Sequence, residues 1–447
     1  MYTSTFKKYN IPVPRYTSYP TVPCWDSETW STDAWLASVQ QAAEQAKEGI
    51  SIYIHLPYCE RLCTYCGCNT RITKNHNVEL PYLTAVLQEW QMYLRVLPKD
   101  ISINDIHLGG GTPTFFSPEN LSFLINELLT AVKPVHDAEF SFEAHPANTS
   151  QEHLETLYGL GFRRLSLGIQ DFNPTVQRVI NRQQSPADVI RVMQQARRIG
   201  YTSINFDLIY GLPLQTLESV AETIKIAMAM QPDRIAYYSY AHVPWLKPGQ
   251  RLFTEADLPS TEEKFNLYQR GTEIIKAAGY LDIGMDHFAF PTDKLAIAAQ
   301  SNCLHRNFMG YTDKHSPLLL GLGVSSISDS WTAFAQNVKT VKEYEDLIAQ
   351  GKWPVCKGHV LTEEDIAIRK QILGLMCSGQ LDLAEMPLSE TTKQRLKPLI
   401  TDGMVAFEPG ILKVTHLGSS FLRNICAAFD ERMDTSSESN GRFSKAI

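Results

Sequence analysis

Apolar and polar residues alternate with a period of two in a series of short segments that begins near residue 50 of this 447-residue chain. The segments recur every ~30 residues, the repeat length of a strand–helix–strand unit. Strands are predicted over 51–57, 105–110, 139–145, 164–170, 203–209 and 234–241. Between them 118–132, 151–159, 186–199, 217–230 and 262–278 carry the three-to-four-residue spacing of amphipathic helices. Such alternation predicts an α/β fold with a parallel sheet, a partial-to-full β/α (TIM-like) barrel. Residues 280–288 predict a further, less regular strand.

The strands carry a second message. Strands buried on both faces of a parallel sheet are usually unbroken apolar runs, yet several here alternate. Phe140 and Phe142 share one face while Glu139, Ser141 and Glu143 share the other. Leu165, Leu167 and Ile169 oppose Ser166, Gly168 and Gln170, and Ile204, Phe206 and Leu208 oppose Asn205 and Asp207. Tyr53 and His55 likewise oppose Ile52, Ile54 and Leu56. In a barrel the helices cover the apolar face, so the polar face is expected to turn into the lumen. Burying Glu143 and Asp207 there without partners would cost roughly several kcal/mol each. A lumen that holds a polar ligand is the expected resolution. The alternative, a solvated antiparallel sheet face, conflicts with spacers too long for hairpins.

Three units are expected. Residues 1–45 form an N-terminal arm and helix: KYNIPVPRYTSYPTVP lacks periodicity and predicts an extended arm, followed by a helix over 32–48. Residues 46–345 form the barrel. Residues 346–447 form a small helical, winged-helix-like domain, with helices over 363–375 and 388–401, a turn flanked by strands over 405–414, and a helix over 418–429. The polar tail TSSESNGRFSKAI, 435–447, is expected to be disordered.

A net charge of −7 argues against nucleic acid or an anionic membrane as the partner, winged helix notwithstanding. No apolar run is long enough to span a bilayer, and no basic-then-apolar leader is present. Nine cysteines, four of them crowded into residues 59–68, do not form a disulfide framework and point to a reducing, cytoplasmic setting. The scattered Cys24, Cys303, Cys356, Cys377 and Cys426 are expected mostly as small core residues.

The crowded cysteines lie in YIHLPYCERLCTYCGCNT, directly after the first strand, at the end where β/α barrels carry their sites. The C-x-x-x-C-x-x-C spacing of Cys59, Cys63 and Cys66 suits three thiolates around one face of a cubane iron–sulfur cluster, with one iron left open. A structural zinc site that adds Cys68, or a redox thiol pair, is the competing reading; structural zinc prefers two separated ligand pairs. After the second strand comes GGGTP, Gly109 to Pro113, whose backbone could approach a carboxylate or ammonium group closely. Neither G-x-G-x-x-G nor a following Gly-Lys is present, which removes the common nucleotide loops.

CERLCTYC and GGGTP together resemble the radical S-adenosylmethionine (SAM) superfamily. PRYTSYPT, CTYCGCN, SLGIQDFN, FDLIYGLP, GMDHFA and HRNFMGYT resemble one family within it, the oxygen-independent coproporphyrinogen III oxidases (dehydrogenases), from Lys8 to about Asp430. The resemblance implies a [4Fe–4S] cluster on Cys59, Cys63 and Cys66, with Cys68 nearby but not a ligand. It implies one SAM on the open iron beside Tyr53, Gly110 and Glu143. A second SAM would meet Tyr65, Gly111, Thr112, Gln170, Arg182, Asp207, Ala241 and Ile327. Glu143, Gln170 and Asp207, picked out above by alternation alone, recur in that set.

The implied chemistry is one-electron reduction of the cluster, cleavage of the sulfonium C–S bond, and hydrogen abstraction from the β-carbon of a propionate. Loss of CO₂ and one electron then leaves a vinyl group, twice in succession. Implied partners are coproporphyrinogen III and a low-potential electron donor of unspecified identity, acting on a monomer. The arm around 15–20 resembles a segment that closes over substrate. Arg15, Arg71, Arg306 and His305 are candidate contacts for the four substrate carboxylates, with surface charge as the alternative. His287 and His305 are candidates for iron or porphyrin ligation, with a hydrogen-bonded structural role as the alternative. Met309 stands where family members carry glutamine. A heme-binding chaperone, or another tetrapyrrole-modifying radical enzyme, is the rival; the PRYTSYPT arm and Gly67–Cys68, where the heme-handling relatives carry an acidic residue, favour the oxidase.

Overall fold

The computed structural model describes residues 2–26, 28, 30–433 and 443. The tail 435–447 therefore lies outside the described residues, Phe443 excepted. One twelve-stranded sheet dominates. Its strands in chain order are Ile50–Leu56 (β1), Ile103–Gly110 (β2), Pro134–Ala144 (β3), Phe162–Gln170 (β4), Ser203–Tyr210 (β5), Arg234–Ser239 (β6), Leu281–Gly284 (β7), His287–Ala289 (β8), Leu319–Leu322 (β9), Ile327–Asp329 (β10), Ala333–Asn337 (β11) and Val355–Val360 (β12). The order across the sheet is β12-β11-β10-β9-β1-β2-β3-β4-β5-β6-β8-β7. From β9 through β6 all neighbours are parallel. Both flanks are antiparallel. The two end strands do not meet, so the barrel is partial rather than closed.

Local sequence explains the helices that cover the outer face. Ser117, Ser185, Thr216 and Ser260 each accept a hydrogen bond from a backbone N–H of the first turn, and Pro118 and Pro186 follow at the first helical position. The helices Pro118–Ala131, Pro186–Ile199, Leu217–Ala229 and Thr261–Ala277 then lay their apolar stripe on the sheet. Ile52, Ile54, Leu108, Phe142, Leu167 and Phe206 are fully buried in that core, as their alternation required.

Several elements go beyond the sequence reading. A helix over Glu79–Leu94 buries Tyr82, Leu83, Val86, Glu89, Trp90 and Tyr93 on one face. The segment 280–288 holds two short antiparallel strands, β7 and β8, rather than one. The antiparallel run β9–β12 extends the sheet, and β12 follows residue 350, where the charged texture begins. A hairpin, His305–Asn307 paired with Gly310–Thr312, stands apart from the large sheet. The C-terminal unit comprises helices Glu363–Ser378 and Glu390–Thr401, a three-stranded sheet of Gln380–Asp382, Val405–Glu408 and Ile411–Val414, and short helices after it.

The N-terminal arm begins with a helix, Tyr2–Tyr9, and is extended only afterwards. It packs on the C-terminal unit: Phe6, Tyr9, Tyr16 and Tyr19 join Ile372, Leu375, Ile425 and Phe429 in one apolar cluster. Asn424 donates to the Tyr9 carbonyl at 2.8 Å, Arg423 Nε to the Pro14 carbonyl at 3.1 Å, and Tyr16 to Asp430 Oδ2 at 3.0 Å. Among the described residues no helix is long and apolar enough to cross a membrane. The scattered cysteines depart from expectation: Cys426 is buried, Cys24 and Cys377 are half-buried, and Cys303 and Cys356 are exposed.

Candidate functional site

Parallel register brings the polar face of each strand into one row. Tyr53 neighbours His107, His107 neighbours Ser141, Glu143 neighbours Ser166, and Gly168 neighbours Asp207. Above this row, at the C-terminal strand ends, lies a cavity of about 920 Å³. Its wall includes Cys59, Cys63, Cys66 and Cys68 together with Glu143, Gln170 and Asp207. The polar lumen expected from alternation is present.

The cysteine loop is tied down from several sides. Asn181 donates to the Leu62 carbonyl (2.7 Å), Thr64 to the Val179 carbonyl (3.0 Å), Gln250 to the Tyr65 carbonyl (2.9 Å) and Asn69 to the Lys339 carbonyl (2.9 Å). All four loop thiols are free. Polar and cationic groups gather around the sulfurs. Thr112 Oγ1 is 3.3 Å from Cys59 Sγ, Arg182 Nη1 donates to Cys63 Sγ at 3.6 Å, and the Cys68 N–H donates to Cys66 Sγ at 3.4 Å. A hydrogen bond from the Cys68 thiol holds Cys66 down to about 6, whereas burial pushes Cys59 up to about 11.

Behind the loop, Tyr53 O–H and His55 Nδ1 are 3.0 Å apart, and His55 Nε2 is 2.8 Å from the Asn69 carbonyl. Because the carbonyl can only accept, Nε2 carries the proton and Nδ1 accepts from Tyr53. Burial lowers the pKa of His55 and keeps it in this neutral form. His107 stacks on Tyr53, meets Ser141 at 2.8 Å and stands 3.6 Å from Glu143. Burial alone would raise the Glu143 carboxyl; His107 and the Gly110 N–H, 3.1 Å away, outweigh it and hold the group below its ordinary value. Asp207 goes the other way. Burial and the Glu143 charge push it up to about 7, against hydrogen bonds from Ser166 and Asn205 at 2.9 Å each.

The glycine run serves the fold more than the sequence implied. A side chain at Gly110, whose φ is +110°, would strike the His55 ring, and one at Gly111 would strike the Pro57 backbone. The Gly110 amide is taken by Glu143, the Gly111 amide by the Leu56 carbonyl (2.8 Å) and the Thr112 amide by the Tyr58 carbonyl (3.0 Å). These glycines seat β2 against β1 and the cysteine loop, and their amides are not free for a ligand.

Tyr65, Gly110, Gly111, Thr112 and Arg182 line the cavity, while Tyr53 stands behind that wall, and Ala241 and Ile327 lie outside it. Ile327 packs beside Trp25, Phe334 and Leu361. His107, Arg164, His145 and Arg234 also line the cavity and were not singled out from sequence; for His107, the alternation of β2 carries the needed signal, since Asp105 and His107 oppose Ile106 and Leu108. The proposed carboxylate contacts scatter. Arg71 is exposed. Arg15 pairs with Asp286 and lies over the Tyr238 ring, 5.6 Å from its centroid. His305 meets His315 edge to face, 4.5 Å between ring centroids, and burial lowers it to about 3. Arg306 is 5 % exposed, lies 4.6 Å from the Tyr311 ring centroid, and leaves Nε and Nη1 without an acceptor. His287 meets the same ring edge to face, 5.4 Å between centroids, and lines the cavity with Nδ1 also unpartnered.

Residues 53–227 match the radical SAM superfamily. The chain is 39 % identical to oxygen-independent coproporphyrinogen III oxidase from Escherichia coli K12, covering 95 % of this chain and 94 % of that protein. It is 37 % identical to the Synechocystis enzyme of the same name, over 98 % of this chain and 97 % of the other. The solved structure of the Escherichia coli coproporphyrinogen III oxidase, described as a radical SAM enzyme, superposes with a TM-score of 0.89 at 37 % identity, covering 94 % of this chain and 98 % of that one. The chain therefore belongs to the oxygen-independent coproporphyrinogen III oxidase family of the radical SAM superfamily.

Proposed function

We propose that this chain carries out the anaerobic oxidative decarboxylation of two propionate side chains of coproporphyrinogen III to vinyl groups, giving protoporphyrinogen IX for heme biosynthesis. The observation that carries the reading is the meeting of three free cysteines and a polar strand face in one large cavity, in a chain that matches oxidases of that name end to end. The cofactors fit these residues. Cys59, Cys63 and Cys66 would hold a [4Fe–4S] cluster, and the Cys68 N–H already faces the Cys66 sulfur and the Arg182 guanidinium the Cys63 sulfur, as suits thiolate. Bound there, the cluster and SAM would supply the one-electron chemistry that activates a propionate β-carbon.

The protein's share is binding, orientation and exclusion of water. Glu143 offers a carboxylate to one SAM ammonium, with Tyr53 and Gly110 behind it. Arg182, Tyr65, Gln170 and Asp207 face the cavity where a second SAM is placed, with the Gly111 carbonyl and the Thr112 hydroxyl as the groups left for contact. Ala241 and Ile327 enter this set through the family resemblance alone. His287 lines the cavity with Nδ1 unpartnered, and Arg306, outside that lining but 4.6 Å from the ring centroid of the lining Tyr311, leaves Nε and Nη1 without an acceptor; a buried guanidinium of this kind calls for an acceptor such as a substrate carboxylate. The functional units we assign are the arm (1–45), the barrel (46–345, completed by β12) and the C-terminal unit (346–447), in a cytoplasmic monomer served by a low-potential electron donor.

Anaerobic reconstitution tests the reading. Expected are about four irons per chain and two deoxyadenosines per protoporphyrinogen formed under argon, both lost in Cys63→Ala. Protein that takes up only zinc, vinyl formation that survives Cys63→Ala, or heme binding without turnover overturns it.

A further inference from the structure

The short helix Pro174–Val179 ends in a turn that grips the cysteine loop. Asn173 caps its start by accepting from the Thr175 and Val176 N–H groups, and Asn181, left-handed at φ +51°, turns the chain at its end. From this turn the Val179 carbonyl accepts from the Thr64 hydroxyl at 3.0 Å and the Ile180 carbonyl from the Thr64 N–H at 3.0 Å. The Asn181 amide donates to the Leu62 carbonyl at 2.7 Å. Three consecutive residues thus hold the chain on both sides of Cys63. The next one, Arg182, reaches the sulfur itself: Nη1 donates to Cys63 Sγ at 3.6 Å and Nη2 to the Gly168 carbonyl at 2.5 Å.

Room for the guanidinium is made at the end of β4. A Cβ on Gly168 would lie 2.7 Å from Nη2, so a side chain there would push the group off its place. The guanidinium is permanently charged. Among the described residues it forms no ion pair with a carboxylate, and its Nε is buried without an acceptor. Asp207 feels the charge but is itself pushed toward neutrality. A cation drawn from water without a counter-ion is costly. The partner that the fold presents to it is the sulfur of a cysteine that would ligate the cluster.

We propose that Arg182 raises the reduction potential of the cluster, stabilising its reduced state through charge and a hydrogen bond at the Cys63 sulfur. In the step a one-electron donor is oxidised and the cluster reduced, and no bond or proton moves. The reduced cluster carries one more negative charge, which the adjacent guanidinium offsets. Hydrogen bonds to ligand sulfurs and the local net charge are levers on such potentials. The inference rests on the cluster assigned above. It gives Arg182 a role apart from the second SAM that the family resemblance places beside it.

Redox titration of the reconstituted protein without SAM, followed by the electron paramagnetic resonance signal of the reduced cluster, tests this role apart from any SAM contact. In Arg182→Met the midpoint potential should fall by about 59 mV, a tenfold change in the one-electron equilibrium, with about four irons per chain retained. Arg182→Lys keeps the charge but loses the fork, and its potential should lie between the two. Gly168→Ala leaves the arginine in the chain but displaces its head, and should lower the potential as well. A potential that ignores Arg182→Met overturns the proposal, even if Gly168→Ala moves it. So does loss of iron in both Arg182→Met and Arg182→Lys, which would make the arginine a clamp on the loop and nothing more. Wild-type protein with no cluster signal would instead sink the cluster assignment, whereas a normal signal indifferent to residue 182 sinks the role of Arg182 alone.

Discussion

At the scale of single residues, the cavity wall is organised by which carboxylates stay charged. Glu143 is held anionic by His107 and Gly110, while Asp207 is pushed toward neutrality partly by the Glu143 charge itself. Two acids a few residues apart in register thus face the same space in different states. Glu143→Gln removes the only one of the pair kept low. It should weaken SAM binding by about 10–100-fold with iron content retained, as equilibrium binding to reconstituted protein would show. Arg306→Met should raise the KM for coproporphyrinogen III while leaving SAM affinity alone; an unchanged KM would assign Arg306 to packing under Tyr311. The polar wall was legible from sequence because a period of two leaves Glu143, Gln170 and Asp207 nowhere else to go. Arg306 was legible only as a charge, since its burial depends on a hairpin and a ring six residues or fewer away that no periodicity announces.

At the scale of elements, the helix Glu79–Leu94 and the turn after β9 form a second buried network. Glu89 accepts from Gly323 N–H (2.8 Å), Asn337 (2.7 Å) and Tyr344 O–H (2.6 Å), and Tyr82 O–H reaches the His55 carbonyl at 2.7 Å. Burial pushes Glu89 up to about 7 despite its donors. The folded chain therefore holds this proton more tightly than the unfolded chain does. Its contribution to stability is present below the ordinary carboxylate range and is lost as pH rises through about 7. The Tm of wild type relative to Glu89→Gln should accordingly fall between pH 5 and pH 8, by an amount equivalent to on the order of 3 kcal/mol. Gly110→Ala should cost more than 1 kcal/mol in chemical unfolding, because positive φ and the His55 ring both resist a Cβ. The 82, 83, 86, 89, 90, 93 spacing of that helix was available in the sequence. The strands β9–β12 were much less so: β9, β10 and β11 are three to five residues long, below the length at which alternation separates strand from loop.

At the scale of the whole molecule, the arm and the C-terminal unit fold as one body although hundreds of residues separate them in sequence. Arg15 reaches from the arm to Asp286 and Tyr238, and Tyr238 lines the cavity, so the inner end of the site is shaped by a contact between chain regions that the βα repeat does not connect. Removing residues from 421 onward deletes the Arg423, Asn424 and Asp430 partners of the arm. Limited proteolysis should then cut within 10–20 far sooner than in the intact chain, while the cavity-lining sheet stays protected.

Those clasps span 409 to 415 positions. On a ribosome, residue 9 is extruded first, and the asparagine that grips its carbonyl arrives only after about 20–80 s of further elongation. For that interval Tyr9, Tyr16 and Tyr19 have no apolar home. The nascent protein must keep three aromatic rings from sticking elsewhere until the C-terminal unit that covers them has emerged.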